Sequence, residues 1–246
     1  MTKPIRITVT GTAGSAPRDA GTQMLVWPDR IEGTIGGGRL EWDAMEEARR
    51  MLADGRKEHS ARIALGPTLG QCCGGSVSLK WETADDLELP TARPVWIYGA
   101  GHVGRALVQA IAPLPNFAIT WVDTAADRFP DTDVDVLVAA DPALVVRHAP
   151  ENANHLILTY SHELDFALCH ALLEHKFHSV GLIGSATKHA RFKSRLQKLG
   201  HTGAEIDRIT CPIGDPTLGK HPMAIALGVA TAMIRAETTG TKDKTA

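Results

Sequence analysis

The sequence is short of what would place it in a bilayer, in an oxidising compartment or on a nucleic acid. Its longest apolar stretch, Met223 to Ile234, is about a dozen residues, and a membrane-spanning helix needs about 20. The opening residues, Met1 to Gly14, contain no continuous apolar segment of the kind a secretory signal requires. There are four cysteines in 246 residues, two of them adjacent at Cys72 and Cys73. That pattern gives neither a disulfide framework nor the paired C-x-x-C of a structural zinc site, and it points to a reducing cytoplasm. The formal net charge is -2, which gives no reason to expect nucleic acid or a charged membrane surface as partner. No internal repeat is visible.

What is present is ordinary for a globular chain: 43% apolar and 22% charged residues. The length suits one large or two small domains. The most informative stretch is V-W-I-Y-G-A-G-H-V-G, Val95 to Gly104. A run of β-formers stops at Gly99-Ala100-Gly101, and a helical pattern starts at His102. This is the glycine fingerprint of a dinucleotide fold. Gly99 permits the tight turn, Gly101 lets the backbone approach a phosphate, and Gly104 lets helix and strand pack closely. Asp123 ends the next strand, near the offset of about 20 residues expected for a ribose-binding acid. His102 faces the same crevice, as a ligand contact or simply as the start of the helix.

From there the chain alternates strand and helix. Strands are expected at Val95–Tyr98, Phe117–Val122, Val136–Ala139, His155–Tyr160 and Ser179–Ile183, with a short sixth at Ile209–Pro212. Such alternation implies a parallel sheet covered on both faces. Ser185 follows the fifth strand and opens a helix with Lys188 in its first turn, a second candidate anion site and equally a helix cap. The expected fold is α/β: a C-terminal Rossmann-like parallel sheet with helices on both faces, after a smaller α+β N-terminal domain. The expected boundaries are 1–83 for the first domain, 84–93 for a polar linker, 94–237 for the Rossmann-like domain and 238–246 for a disordered tail. Fold alone does not fix chemistry. The crevice is open to NAD(P), to another phosphate-bearing cofactor or to nothing.

In the first half, Gly36-Gly37-Gly38 gives up backbone entropy three times over ahead of a helix, where bare N–H groups can hold an anion. Arg18, in the loop Ser15-Ala16-Pro17-Arg18, offers a guanidinium suited to a phosphate or a pterin-like amide edge. Gln71-Cys72-Cys73-Gly74-Gly75 combines soft thiols with backbone freedom, a pattern suited to a soft metal or to sulfur transfer. Adjacent side chains on a strand point to opposite faces, so one thiol is favoured over two. Cys169 and Cys211 read as small buried apolar residues.

Six segments together resemble the XdhC/CoxF family of xanthine dehydrogenase accessory proteins. They are G-S-A-P-R at Gly14–Arg18, T-I-G-G-G-R-L-E at Thr34–Glu41, L-G-P-T-L-G-Q-C-C-G-G at Leu65–Gly75, I-Y-G-A-G-H-V-G at Ile97–Gly104, V-G-L-I-G-S at Val180–Ser185, and P-I-G-D-P-T-L-G-K-H-P near the end. The resemblance implies a chaperone for the molybdenum cofactor (Mo-molybdopterin). Such a protein binds the cofactor, supports its sulfuration and inserts it into xanthine dehydrogenase. It also implies contacts with the large dehydrogenase subunit and a cysteine desulfurase, and a homodimer. On this resemblance Cys72 and Cys73 are the metal-touching candidates, with Gln71 and Gly36–Gly38 lining the pocket. One departure is Tyr160-Ser161-His162, where the family pattern has two histidines and one remains. The alternative from the glycine fingerprint alone is an NAD(P)-dependent oxidoreductase.

Overall fold

The computed structural model describes residues 3–65, 75–85 and 92–242, with side chains described through 237. The chain divides into two compact units, Met1–Thr91 and Ala92–Ala246.

The first unit runs β1 (Ile5–Ala13), β2 (Gln23–Val26), β3 (Ile31–Gly33), α1 (Gly38–Asp54), β4 (Glu58–Ala64) and β5 (Ser76–Thr83). Among the described residues its five strands form an antiparallel sheet in the order β3-β2-β1-β5-β4. Strand periodicity sets the core: Ile5, Ile7 and Val9 alternate inward from β1, and Val77, Leu79 and Trp81 from β5. Helix α1 covers them with Leu40, Ala44, Met45, Ala48 and Met51, a helical stripe of three- and four-residue steps. Full burial of Leu40, Met45 or Met51 contributes about 1.5–3 kcal/mol each. The indole N–H of Trp81 donates to the Ala44 carbonyl at 2.9 Å, so its one polar atom is satisfied in the core. Gly55, in left-handed geometry at φ 75°, stops the helix.

The second unit runs β6 (Arg93–Tyr98), α2 (His102–Ile111), β7 (Phe117–Asp123), β8 (Asp135–Val138), β9 (Asn154–Ile157), α3 (His162–Leu173), β10 (Ser179–Leu182), α4 (Ala186–Lys198), α5 (Gly203–Ile206), β11 (Ile209–Thr210) and α6 (Pro222–Lys242). All six strands are parallel, in the order β11-β10-β9-β6-β7-β8. One face packs Trp96, Tyr98, Val122 and Val180 against Leu168 and Leu172 of α3 and Phe192 and Leu196 of α4. The other packs Val95, Ile97, Ile119 and Trp121 against Leu107 and Ile111 of α2 and Ala226 and Val229 of α6. The sheet is therefore covered on both faces. After β8 the chain crosses to β9 on the far side of β6. Strand order reverses there, and ligands of open α/β sheets bind at such a point, beyond the carboxyl ends of the strands.

The structure moves several boundaries. Thr83 ends β5, Ala84 is buried and its N–H bonds Pro4 O at 2.9 Å, and Arg93 opens β6. Both ends of the expected linker therefore belong to the units. Helix α6 continues to Lys242, into the expected disordered tail, because each added residue contributes one more backbone bond once a helix is nucleated. Strand β3 stops at Gly33, where Thr34 and Ile35 turn toward Glu41. The short α5 and the 3-10 turn at Pro142–His148 have too little length to show a periodicity in sequence.

Candidate functional site

The turn after β6 is held from three sides. Gly99 N–H donates to Val122 O at 2.8 Å, and the Trp121 indole donates to Gly99 O at 3.1 Å. The Ala100 N–H donates to Asp123 Oδ2 at 2.5 Å. Two of the three fingerprint glycines are required by packing. At Gly99, φ is 115° and an added Cβ would lie 2.4 Å from Leu158 O. At Gly104 it would lie 2.0 Å from Gly99 O. Gly101 differs, with φ at -75° and nothing within 4 Å of an added Cβ. Its bareness leaves the backbone open at the start of α2.

Asp123 has a different task from the ribose contact expected of it. It is 3% exposed, and both of its oxygens are engaged. Besides Ala100 it accepts from Thr124 N–H and Thr124 Oγ1, and it pairs with Arg128 Nε at 2.7 Å. Burial raises its pKa, but the amide donors and the guanidinium outweigh that and hold the carboxyl below its usual range. The acid braces the turn instead of standing free at its mouth.

Beside the turn, Ala100, Gly101, His102, Arg105 and Arg128 line a cavity of about 220 Å³. Arg105 is fixed by donating from Nε to Ala100 O at 3.0 Å and from Nη2 to Arg128 O at 2.7 Å. The Arg128 guanidinium lies 4.4 Å from the ring centre of Tyr160, which follows β9 and is 65% exposed. Arg128 thus reaches from the loop after β7 to the loop after β9, on either side of β6. Sequence reading missed both arginines. The available signal was a basic residue five positions past the strand-end acid.

The other strand ends are capped. Ser161 accepts the Leu164 N–H at the start of α3, and Ser185 accepts the Lys188 N–H at the start of α4. Lys188 does not supply free charge for a second anion site at Ser185. Its ammonium pairs with Asp165 at 2.5 Å and donates to Ile183 O at 2.8 Å, and its side chain is 11% exposed. Asp165 is 1% exposed and also accepts from Thr159 Oγ1 at 2.6 Å.

In the first unit, Gly36, Gly37 and Gly38 all have positive φ, at 124°, 73° and 66°. The anion that this geometry invites is already present within the chain. Glu41 Oε2 accepts from Ile35 N–H, Gly37 N–H and Thr34 Oγ1 at 3.0, 3.1 and 2.5 Å. Burial works against the charge, and these donors outweigh it, so Glu41 is held below its usual pKa. The triple glycine is a nest filled by its own helix's carboxylate.

Gln71, Cys72 and Cys73 lie outside the described residues, but the residues that flank that stretch are placed. Ala64 pairs with Ser76, and Leu65 N–H donates to Gly75 O at 2.8 Å. An added Cβ on Gly75 would lie 2.5 Å from Ser15 O, and one on Gly36 would lie 2.7 Å from Pro17 Cβ and 3.4 Å from Arg18 Cγ. The structure therefore brings the ends of three sequence motifs together. Arg18 is exposed there and has no ion pair among the described residues.

Cys169 is buried and Cys211 half-buried, and desolvation raises both thiols. Neither is poised as a thiolate. Among the described residues no group of three or more His, Cys, Asp or Glu is placed to hold a metal ion. No helix among them is long and apolar enough to cross a membrane.

Residues 95–233 match the XdhC Rossmann domain, and residues 3–63 match the XdhC and CoxI family. The chain belongs to the XdhC family. It is 29% identical over 241 residues to the uncharacterized protein YqeB of Escherichia coli (strain K12), a match covering 92% of this chain and 42% of that protein. The chain thus spans well under half the length of the curated relative it matches. Its fold is shared with a crystal structure described as a xanthine dehydrogenase from Bacillus halodurans. The TM-score is 0.73 at 19% identity, over 96% of this chain and 92% of that one.

Proposed function

We propose that this XdhC-family protein is an accessory chaperone that binds the molybdenum cofactor, supports its sulfuration and delivers it to xanthine dehydrogenase. The observation that carries the reading is that family matches fall in both units: one begins at residue 3 and the other ends at residue 233. The described residues fit part of such a ligand. The cofactor carries a phosphate, and the cavity beside the glycine turn offers two guanidiniums and an open helix start. The triple-glycine nest does not fit it, because Glu41 already fills the nest. Soft donors for the metal end would be Cys72 and Cys73, with Gln71 beside them, since Cys169 and Cys211 are held protonated.

When bound, the cofactor supplies the molybdenum and its dithiolene sulfurs. This chain's part is binding and orientation. Within the second unit Arg105 and Arg128 would hold a phosphate, and within the first Arg18 would be available to an anionic or amide edge. The partners in this reading are the large subunit of xanthine dehydrogenase, a cysteine desulfurase and a second copy of this chain.

The alternative of an NAD(P)-dependent oxidoreductase draws on the same cavity. The strand-end acid it needs is spent on bracing the turn, and His102 is the only titratable acid–base side chain among the lining residues.

The test is mass spectrometry of what co-purifies when the protein is expressed alongside molybdenum-cofactor biosynthesis. A bound pterin, together with restored activity of cofactor-free xanthine dehydrogenase, is the expected result. Protein carrying no pterin would overturn the reading. Cys72→Ala and Cys73→Ala together should lower retention at least about tenfold, since removing even an outer-shell partner of a metal ligand costs about 10–100-fold.

A further inference from the structure

We propose that the cavity beside the glycine turn selects for a terminal phosphate group through Arg128, and that it does not read a ribose diol. This rests on the reading that the cavity takes the phosphate end of a ligand, and it names the group and the residue that recognise it.

The glycine turn alone would not carry this, because every helix start attracts anions. The argument comes from side chains on helix α2, at the end of β7 and in the connections after β7 and β9. In a Rossmann crevice, a free acid after the second strand accepts ribose hydroxyls, whereas an arginine nearby accommodates a phosphate in their place. Here the acid is not free. Asp123 is 3% exposed, already accepts from the Ala100 and Thr124 amides and the Thr124 hydroxyl, and is ion-paired with Arg128. A diol would have to displace internal donors to reach it.

Arg128 is in the opposite condition. Its ion pair with Asp123 is made through Nε, which leaves the two terminal guanidinium nitrogens with no hydrogen bond to the described residues. One-third of its side chain is exposed. Its plane is steadied by Tyr160, and its backbone carbonyl is held by Arg105 Nη2. A guanidinium fixed through one nitrogen and a ring face presents a planar donor edge, which suits two phosphate oxygens. Among the lining side chains and Asp123 the charge is two guanidiniums against one carboxylate, a net positive charge that attracts a phosphate. Arg128 also reaches toward both loops that flank β6, so a ligand seated on the turn must pass beside it.

The phosphate could belong to a pterin or to a nucleotide, and matched pairs of probes separate the two. Calorimetric titration of the full chain would compare NADPH with NADH, and a pterin monophosphate with the same pterin lacking phosphate. Within each pair the members differ by one phosphate. At least one pair should favour the phosphorylated member about tenfold or more, and that pair names the source. The preference should vanish in Arg128→Ala, persist in part in Arg128→Lys and weaken steeply with added salt. Asp123→Asn, checked for folding by circular dichroism, should not selectively weaken NADH. Equal binding within both pairs, no binding of any probe, or a preference surviving Arg128→Ala would each overturn the proposal. Co-purification of a pterin is scored separately, so a chaperone that fails these titrations is distinguishable from a protein that binds phosphate and is no chaperone.

Discussion

The Asp123 carboxylate accepts the Ala100 backbone N–H at 2.5 Å, so the acid that ends β7 fixes the glycine turn that ends β6. The amide and guanidinium donors outweigh burial and depress its pKa. A carboxylate depressed in the folded state adds stability above its unfolded pKa, near 3.8. That stability is lost as pH falls through the folded value. Asp123→Asn should therefore cost about 1–3 kcal/mol at neutral pH, and the difference from wild type should shrink in acid. Urea melts at pH 7 and pH 3 check this.

The three fingerprint glycines should behave unlike one another. Gly99→Ala and Gly104→Ala place a methyl 2.4 Å and 2.0 Å from carbonyl oxygens, and each should cost about 2–4 kcal/mol. Gly101→Ala meets nothing within 4 Å at an ordinary φ, so stability should hold within about 0.5 kcal/mol. Ligand binding at the turn should nevertheless fall, because the methyl occupies the approach to the backbone. Thermal melts together with the titrations above separate the two effects.

Lys188 and Asp165 form a buried pair between α4 and α3. Lys188→Met alone leaves a buried carboxylate and should cost about 3–5 kcal/mol. Adding Asp165→Leu should recover part of the loss, because no charge is then desolvated, although the Thr159 amide and hydroxyl lose their acceptor. A double-mutant cycle by chemical denaturation measures the coupling. Additive losses would mean that the pair does not act as a unit.

His155 is fully buried on β9, with Nδ1 3.1 Å from the Tyr98 hydroxyl and no partner for Nε2 among the described residues. Burial, with a smaller contribution from His175, lowers its pKa from 6.5 to about 3. The unfolded chain then binds a proton that the folded protein refuses between those values. Stability should fall as pH drops from about 6.5 toward 3, with a slope of up to one proton. His155→Phe combined with Tyr98→Phe removes the titrating ring without orphaning the hydroxyl, and should flatten this limb. Stability curves from pH 7 to 4 for both proteins test it.

The sequence was enough for the strand–helix alternation of the second unit, the parallel sheet covered on both faces and the glycine turn. Apolar periodicity and glycine's freedom at positive φ act over a few neighbouring residues, so the pattern that causes them is written locally. The roles of the polar groups were decided elsewhere. Asp123 reads as a ribose acceptor, Lys188 as a free cation and Gly36–Gly38 as an open anion nest, because each suits that task alone. Folding brings Ala100 to Asp123, Asp165 to Lys188 and the Glu41 carboxylate back onto its own helix start. A buried charge is stable only when satisfied, so these partners take precedence over any ligand. Arg128 was invisible for the same reason, since its importance depends on Tyr160, 32 positions away in the chain and 4.4 Å away in space.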